Sequence, residues 1–158
     1  MSEPILIREA VLDDLEALLA LEEICFQSDR LSRRSFQRWL KGDRGILSVL
    51  EFECQVVGYG LVLLRKGTRL ARLYSIALSP VVRGRGFGRL LVQALEAEAM
   101  EAGCLFMRLE VSKVNTAGIS LYTNLGYGVF GELPDYYEDH TDALRMQKQI
   151  RFPGKGRK

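Results

Sequence analysis

Leu78-Ser79-Pro80-Val81-Val82-Arg83-Gly84-Arg85-Gly86-Phe87-Gly88-Arg89-Leu90-Leu91 joins an apolar run to a helical pattern, and its reading decides the fold. Residues 70–78 before it read as a strand, with Pro80 just beyond the stop. Residues 86–102 read as a helix in which Leu90, Leu91, Ala94 and Leu95 face inward and Glu96, Glu98 and Glu101 face water. Gly103 supplies the C-terminal stop. Glycines let a backbone turn tightly and bring its N–H groups close to an anion. A helix N-terminus adds unpaired donors and partial positive charge. Arg83, Arg85 and Arg89 add full charges whose planar geometry suits phosphate. Together these features describe a pyrophosphate cradle. It is not a P-loop, because no Lys-Ser/Thr pair follows the last glycine, and Arg89 stands where a dinucleotide fingerprint needs its third glycine. The remaining alternative is a flexible Gly-Arg turn with no ligand.

Working outward, residues 4–9 read as a short strand. Asp13 followed by Glu16 has the spacing of a capping box, with Leu15, Leu18, Leu21 and Cys25 then recurring at helical steps. A second helix is expected over residues 33–41, ending near Gly42. Residues 46–52 and 55–65 have the pattern of a hairpin. Downstream, residues 104–111 alternate: Leu105, Met107, Leu109 and Val111 share one face, and Arg108 and Glu110 share the other. Asn115 opens a short helix that Gly126 ends, and two strands follow near residues 127–133 and 143–150. The order β-α-α-β-β-β-α-β-α-β-β predicts one α/β domain over residues 1–150, with mainly antiparallel pairs early and a crossover helix in the middle. Residues 151–158, basic and glycine-containing, are expected to form a flexible tail.

With 158 residues, 47% apolar and 27% charged, the chain suits one soluble domain. A formal charge of +2 argues against a dedicated nucleic-acid binder. Cys25, Cys54 and Cys104 are far apart, form no CxxC pair and read as buried free thiols. No His/Cys/Asp cluster suggests a metal. Neither a membrane-spanning run nor a basic-led signal sequence is present, so the cytoplasm is the expected compartment.

The turn resembles the coenzyme-A pyrophosphate motif of the GNAT acetyltransferases, Val/Leu-x-Pro-x-x-Arg-Gly-x-Gly-x-Gly-x-x-Leu, throughout. Two further series keep the family order. One is Leu109-Glu110-Val111, Asn115, Leu121-Tyr122 and Leu125-Gly126-Tyr127; the other is Asp135-Tyr136-Tyr137-Glu138-Asp139 with Asp142-Ala143-Leu144. These are similar to the bacterial ribosomal-protein N-alpha-acetyltransferase (RimI-like) branch. The resemblance covers roughly the last two-thirds of the chain.

That resemblance implies a mixed, mainly antiparallel sheet whose central parallel strands splay apart, flanked by about four helices. It implies acetyl-CoA as cosubstrate and direct attack by an amine, most simply a protein or peptide N-terminus; a ribosomal protein is one possible partner. Backbone groups of Ile76, Ala77 and Leu78 would hold the pantetheine arm. Arg83, Gly84, Arg85, Gly86, Phe87, Gly88 and Arg89 would bind the pyrophosphate, and Asn115 would hydrogen-bond the pantetheine. Glu110 would be the base, through water, and Tyr122 the acid for the departing thiolate. Tyr136 and Tyr137 would line the acceptor groove. The bland alternatives are that Glu110 pairs with Arg108 or another cation, and that Tyr122 is core. His140 reads as a surface-loop residue. Residues 26–34 depart from the branch's Pro-Trp-Ser-type segment, which bears on the acceptor, and Gly118 stands where the family prefers Ala. Arg30, Arg33, Arg34 and Arg38 read as a solvated helix face. Acetylation of a lysine or small amine, or acyl-CoA binding without turnover, are the rival functions.

Overall fold

The computed structural model describes residues 4–42 and 44–150; the tail expected over residues 151–158 lies outside them. The strands are β1 (Ile5–Glu9), β2 (Gly45–Phe52), β3 (Gln55–Leu64), β4 (Leu70–Leu78), β5 (Phe106–Ser112), β6 (Gly128–Leu133) and β7 (Ala143–Gln149). The helices are α1 (Leu15–Cys25), α2 (Arg33–Leu40), α3 (Phe87–Glu101) and α4 (Thr116–Asn124), with single 3-10 turns at Leu12–Asp14 and Pro80–Val82. This is the expected order with the two turns added.

The sheet runs β1-β2-β3-β4-β5-β7-β6. Among the described strands β4 and β5 pair in parallel and all other neighbours antiparallel. A parallel pair needs a crossover, and α3 supplies it. Alternating strand residues feed two cores, one on each face. Leu50, Val62, Leu73, Met107 and Leu109 pack with Leu91 and Leu95 of α3. Leu47, Val49, Tyr59 and Leu61 pack with Leu18 of α1 and Phe36 of α2. Each fully buried leucine contributes about 1.5–3 kcal/mol. Gly60 is required for this contact, because a Cβ there would collide with the Leu95 side chain.

The opening in the sheet has a local cause. Leu61 pairs with Ser75 but Val62 pairs with Leu73, leaving Tyr74 as an extra residue in β4. Such a bulge bends a strand and increases its twist. β4 and β5 are paired from Leu70↔Phe106 to Leu73↔Leu109. Beyond that point β4 runs on to Leu78 and β5 to Ser112 without pairing each other. The notch therefore lies between residues 74–78 of β4 and residues 110–112 of β5.

Four local expectations are corrected. Asp14, not Asp13, occupies the cap position of α1, and its side chain bonds away from the helix: Asp14 Oδ2 accepts from Val11 N at 2.7 Å, ahead of the 3-10 turn, and from Arg8 Nη1 at 2.8 Å. Glu16 instead pairs with Arg33 at 2.7 Å. Glu96 is buried, because it accepts from Tyr127 Oη at 2.8 Å and from Lys148 Nζ at 3.0 Å. Leu90 is 43% exposed, since the core-facing stripe of α3 runs instead through Leu91, Val92, Leu95 and Ala99. Of the cysteines, Cys104 is buried, Cys25 is half-buried and Cys54 is exposed in the β2–β3 turn.

Candidate active site

Where β4 and β5 part, a cavity of about 650 Å³ opens, lined from β4, β5, the α1–α2 loop, α4 and the β6–β7 loop. On the β4 side, Ser79 N donates to Val57 O of β3. Alternate residues of a strand turn their peptide groups to opposite sides. Ala77 therefore turns to β3, while Ile76 and Leu78 turn toward the opening. Leu78 O accepts from Arg83 Nε at 3.1 Å and from the Cys25 thiol at 3.2 Å. Burial pushes that thiol's pKa up.

The turn below has the backbone an anion site needs. Gly84 (φ 82°) and Gly86 (φ 81°) are left-handed, and Cβ atoms there would meet open space. Gly86 caps α3 without any side-chain bond, so the N–H groups of Phe87, Gly88 and Arg89 lack helical partners. These features fit a pyrophosphate. The side chains divide the work differently from expectation. The Phe87 ring is core, 5.2 Å from Phe52, and Arg85 lies over the Phe52 ring at 5.3 Å. Arg83 and Arg89 are exposed.

Asn115 lines the cavity and caps α4, its Oδ1 accepting from Gly118 N at 2.9 Å. A Cβ on residue 118 would come 2.6 Å from Asn115 Nδ2, so glycine leaves room for this cap. Across the cavity, Glu110 sits at the end of the paired part of β5 with 9% side-chain exposure. Its partners are Arg72 at 2.8 Å and Arg145 at 3.6 Å. The sequence alternative of an Arg108 pair is replaced: Arg108 donates to Gln147 at 2.9 Å. Tyr122 is buried, which pushes its pKa up to about 12, and it lines the same cavity.

Tyr136 and Tyr137 meet edge to face at 4.9 Å, and both line the cavity. Tyr136 Oη accepts from Arg72 Nη2 at 2.9 Å, so Arg72 joins this loop to Glu110. Over the mouth, Asp29 N donates to Glu138 Oε1 at 3.0 Å and Glu138 N to Asp29 Oδ2 at 3.2 Å. His140 is exposed and lies 2.6 Å from Asp135. Below, buried Glu22 accepts from Leu31 N at 2.6 Å and from the Tyr59 hydroxyl, which accepts in turn from Ser75 Oγ at 2.8 Å. Burial pushes the Glu22 pKa up. Arg72, Arg145, Asp29 and the Glu22–Tyr59–Ser75 chain were missed from sequence. Their partners are distant along the chain and carry no local spacing.

A seven-stranded mixed sheet parted beside a glycine-arginine turn is the architecture of an acyl-CoA-dependent transferase. The model of the Acetyltransferase (GNAT) family matches residues 12–127, and the chain belongs to this family. As a member of it the chain is an acetyl-CoA-dependent N-acetyltransferase, and its relatives are described as N-acetyltransferases. A Methanocaldococcus jannaschii protein described as an uncharacterized N-acetyltransferase is 30% identical, over 91% of each chain. The [ribosomal protein bS18]-alanine N-acetyltransferase of Salmonella typhimurium is 37% identical over 51% of this chain and 56% of its own. The ribosomal-protein-S18-alanine N-acetyltransferase of Escherichia coli superposes with a TM-score of 0.86 at 26% identity, over 97% of this chain and 98% of that one. Among the described residues no helix is long and apolar enough to cross a membrane.

Proposed function

We propose that the acceptor is the α-amine of a protein or peptide N-terminus, acetylated by direct attack in a ternary complex. The observation that carries this reading is the shared cavity: Glu110, Tyr122 and the Tyr136–Tyr137 pair line one space at the strand opening. Acetyl-CoA supplies the activated acetyl group; a nitrogen–carbon bond forms as the carbon–sulfur bond breaks. The turn from Arg83 to Arg89, the peptide groups of Ile76 and Leu78 that turn toward the opening and the Asn115 amide hold the cosubstrate. Glu110, through water, takes the proton that the amine must lose. Tyr122 donates a hydrogen bond where the sulfur leaves. Tyr136 and Tyr137 offer apolar walls with hydroxyl groups, suited to a peptide backbone near its end.

An α-amine, with an ordinary pKa of about 8, gives up its proton far more readily than a lysine at about 10.4. The test is mass spectrometry of acetyl-CoA reactions with free N-terminal peptides, N-blocked lysine peptides and small amines. Acetylation of free N-termini is expected. Products confined to lysine or small amines overturn the reading, as does acetyl-CoA binding without turnover on any amine. In the Tyr137→Ala variant, acceptor KM rises or kcat falls while acetyl-CoA affinity holds.

A further inference from the structure

A second cavity, of about 710 Å³, lies on the sheet face beside α2. Its outer part is lined by Arg38, Arg44, Arg65 and Lys66, and its inner part by Arg72, Arg108 and Arg145. Glu110 is the one carboxylate among the described lining residues. The whole chain has 22 Lys and Arg against 20 Asp and Glu, so this is a local concentration rather than a general excess. The inner arginines are occupied: Arg72 and Arg145 approach Glu110, Arg108 bonds Gln147, and Arg108 and Arg145 stand 5.0 and 4.8 Å from the Phe130 ring centre. The outer four are exposed, and none has a carboxylate partner among the described residues. Like charges gathered in a concavity raise the local potential and favour an anion there. Arginine adds a bidentate match to carboxylates.

Arg72 and Glu110 line both this groove and the active-site cavity, so the two adjoin across this ion pair. On β5, Arg108 and Glu110 are two residues apart on one face, a step of about 7 Å that an extended peptide shares. Resting on the N-terminal acceptor proposed above, we infer that this groove receives acidic residues shortly after the acceptor's α-amine. A ligand reaching both spaces must carry a nucleophilic amine and several anions. An acidic polypeptide N-terminus has both, whereas a nucleic acid supplies the anions alone.

The experiment compares peptides that share a first residue and then carry either Asp and Glu or Ser and Gln. For the parent enzyme, kcat/KM is expected to be at least tenfold higher on the acidic peptide, mostly through KM. The variant combining Arg38→Gln, Arg44→Gln, Arg65→Gln and Lys66→Gln is expected to lose that preference. It should keep parental kinetics on the neutral peptide and parental acetyl-CoA affinity, which also verify its fold. Equal use of both peptides by the parent overturns the groove assignment while leaving the α-amine reading intact. So does a preference that survives in the fourfold variant. If N-blocked lysine peptides or small amines alone are acetylated, the α-amine reading fails and the groove inference falls with it. Tight binding of single-stranded RNA, lost in the variant without any change in peptide kinetics, assigns the groove to nucleic acid and overturns the inference.

Discussion

Tyr122 is pushed up to about 12 by burial, so its phenol remains protonated across the working range of the enzyme. An ordinary thiol ionises near 8.5, so complete transfer of the phenolic proton to a thiolate is uphill by roughly 5 kcal/mol. A hydrogen bond to developing sulfur charge is the contribution this environment favours. Tyr122→Phe is expected to slow single-turnover acyl transfer about tenfold with cosubstrate affinity retained. A pH–rate profile from 7 to 10 should carry no limb that vanishes in this variant, and wild-type single-turnover rates would remove Tyr122 from the chemistry. Glu110→Gln preserves shape but not proton acceptance, so kcat is expected to fall by roughly a hundredfold. Raising the pH should recover part of the loss, because more of the amine arrives neutral. Equal neutral-pH rates would leave Glu110 as the anchor of Arg72 and Arg145 alone.

Short elements set these side chains, and their ends matter most. The turn into α3 presents N–H groups without helical partners beside exposed Arg83 and Arg89. Arg83→Ala is expected to weaken coenzyme A about ten- to a hundredfold, the cost of one charge-assisted bond. Calorimetry giving parental affinity in a folded variant would remove the arginine from the cradle. At the start of α1, the hydrogen bond from Arg8 holds Asp14 below the usual carboxylate value of 3.8, with help from Val11 N and against partial burial. A lowered folded-state pKa stabilises the fold above the unfolded value, and that stability is lost as the pH falls below it. Asp14→Asn is expected to cost about 1–3 kcal/mol at pH 7. The difference from the parent should shrink below about pH 4. Denaturation curves at several pH values check it; a gap independent of pH would mean that the charge is immaterial. Repeats of three and four residues made α1 legible, yet the carboxylate that bonds at its start is Asp14 rather than Asp13, and it reaches back to Arg8 of β1 and Val11 N instead of into the helix.

Across the whole molecule, the two cores make the sheet a wall, and polar ties fasten the helices to it. Glu96 joins α3 to Lys148 of β7 and to Tyr127 beside α4. Removing one member of a buried pair strands the other, so Glu96→Ala is expected to lose about 3 kcal/mol in urea unfolding. A loss below about 1 kcal/mol would show that water replaces the carboxylate freely. The order of elements, the glycine turn and the placing of Glu110, Tyr122, Tyr136 and Tyr137 at the strand opening were legible in the linear chain. Periodicity, glycine placement and motif spacing are local properties that folding preserves. Glu96 was misread because helical periodicity reports which face is polar, and a polar face can still be buried when a lysine and a tyrosine arrive from elsewhere. Arg72 and Arg145 lie 38 and 35 positions from Glu110, and the register of β4 and β7 against β5 brings them to it. The basic groove has the same origin. Its cations come from α2, the loop before β2, the end of β3 and three strands, so no window of the sequence shows their sum, whereas the sheet that aligns them does.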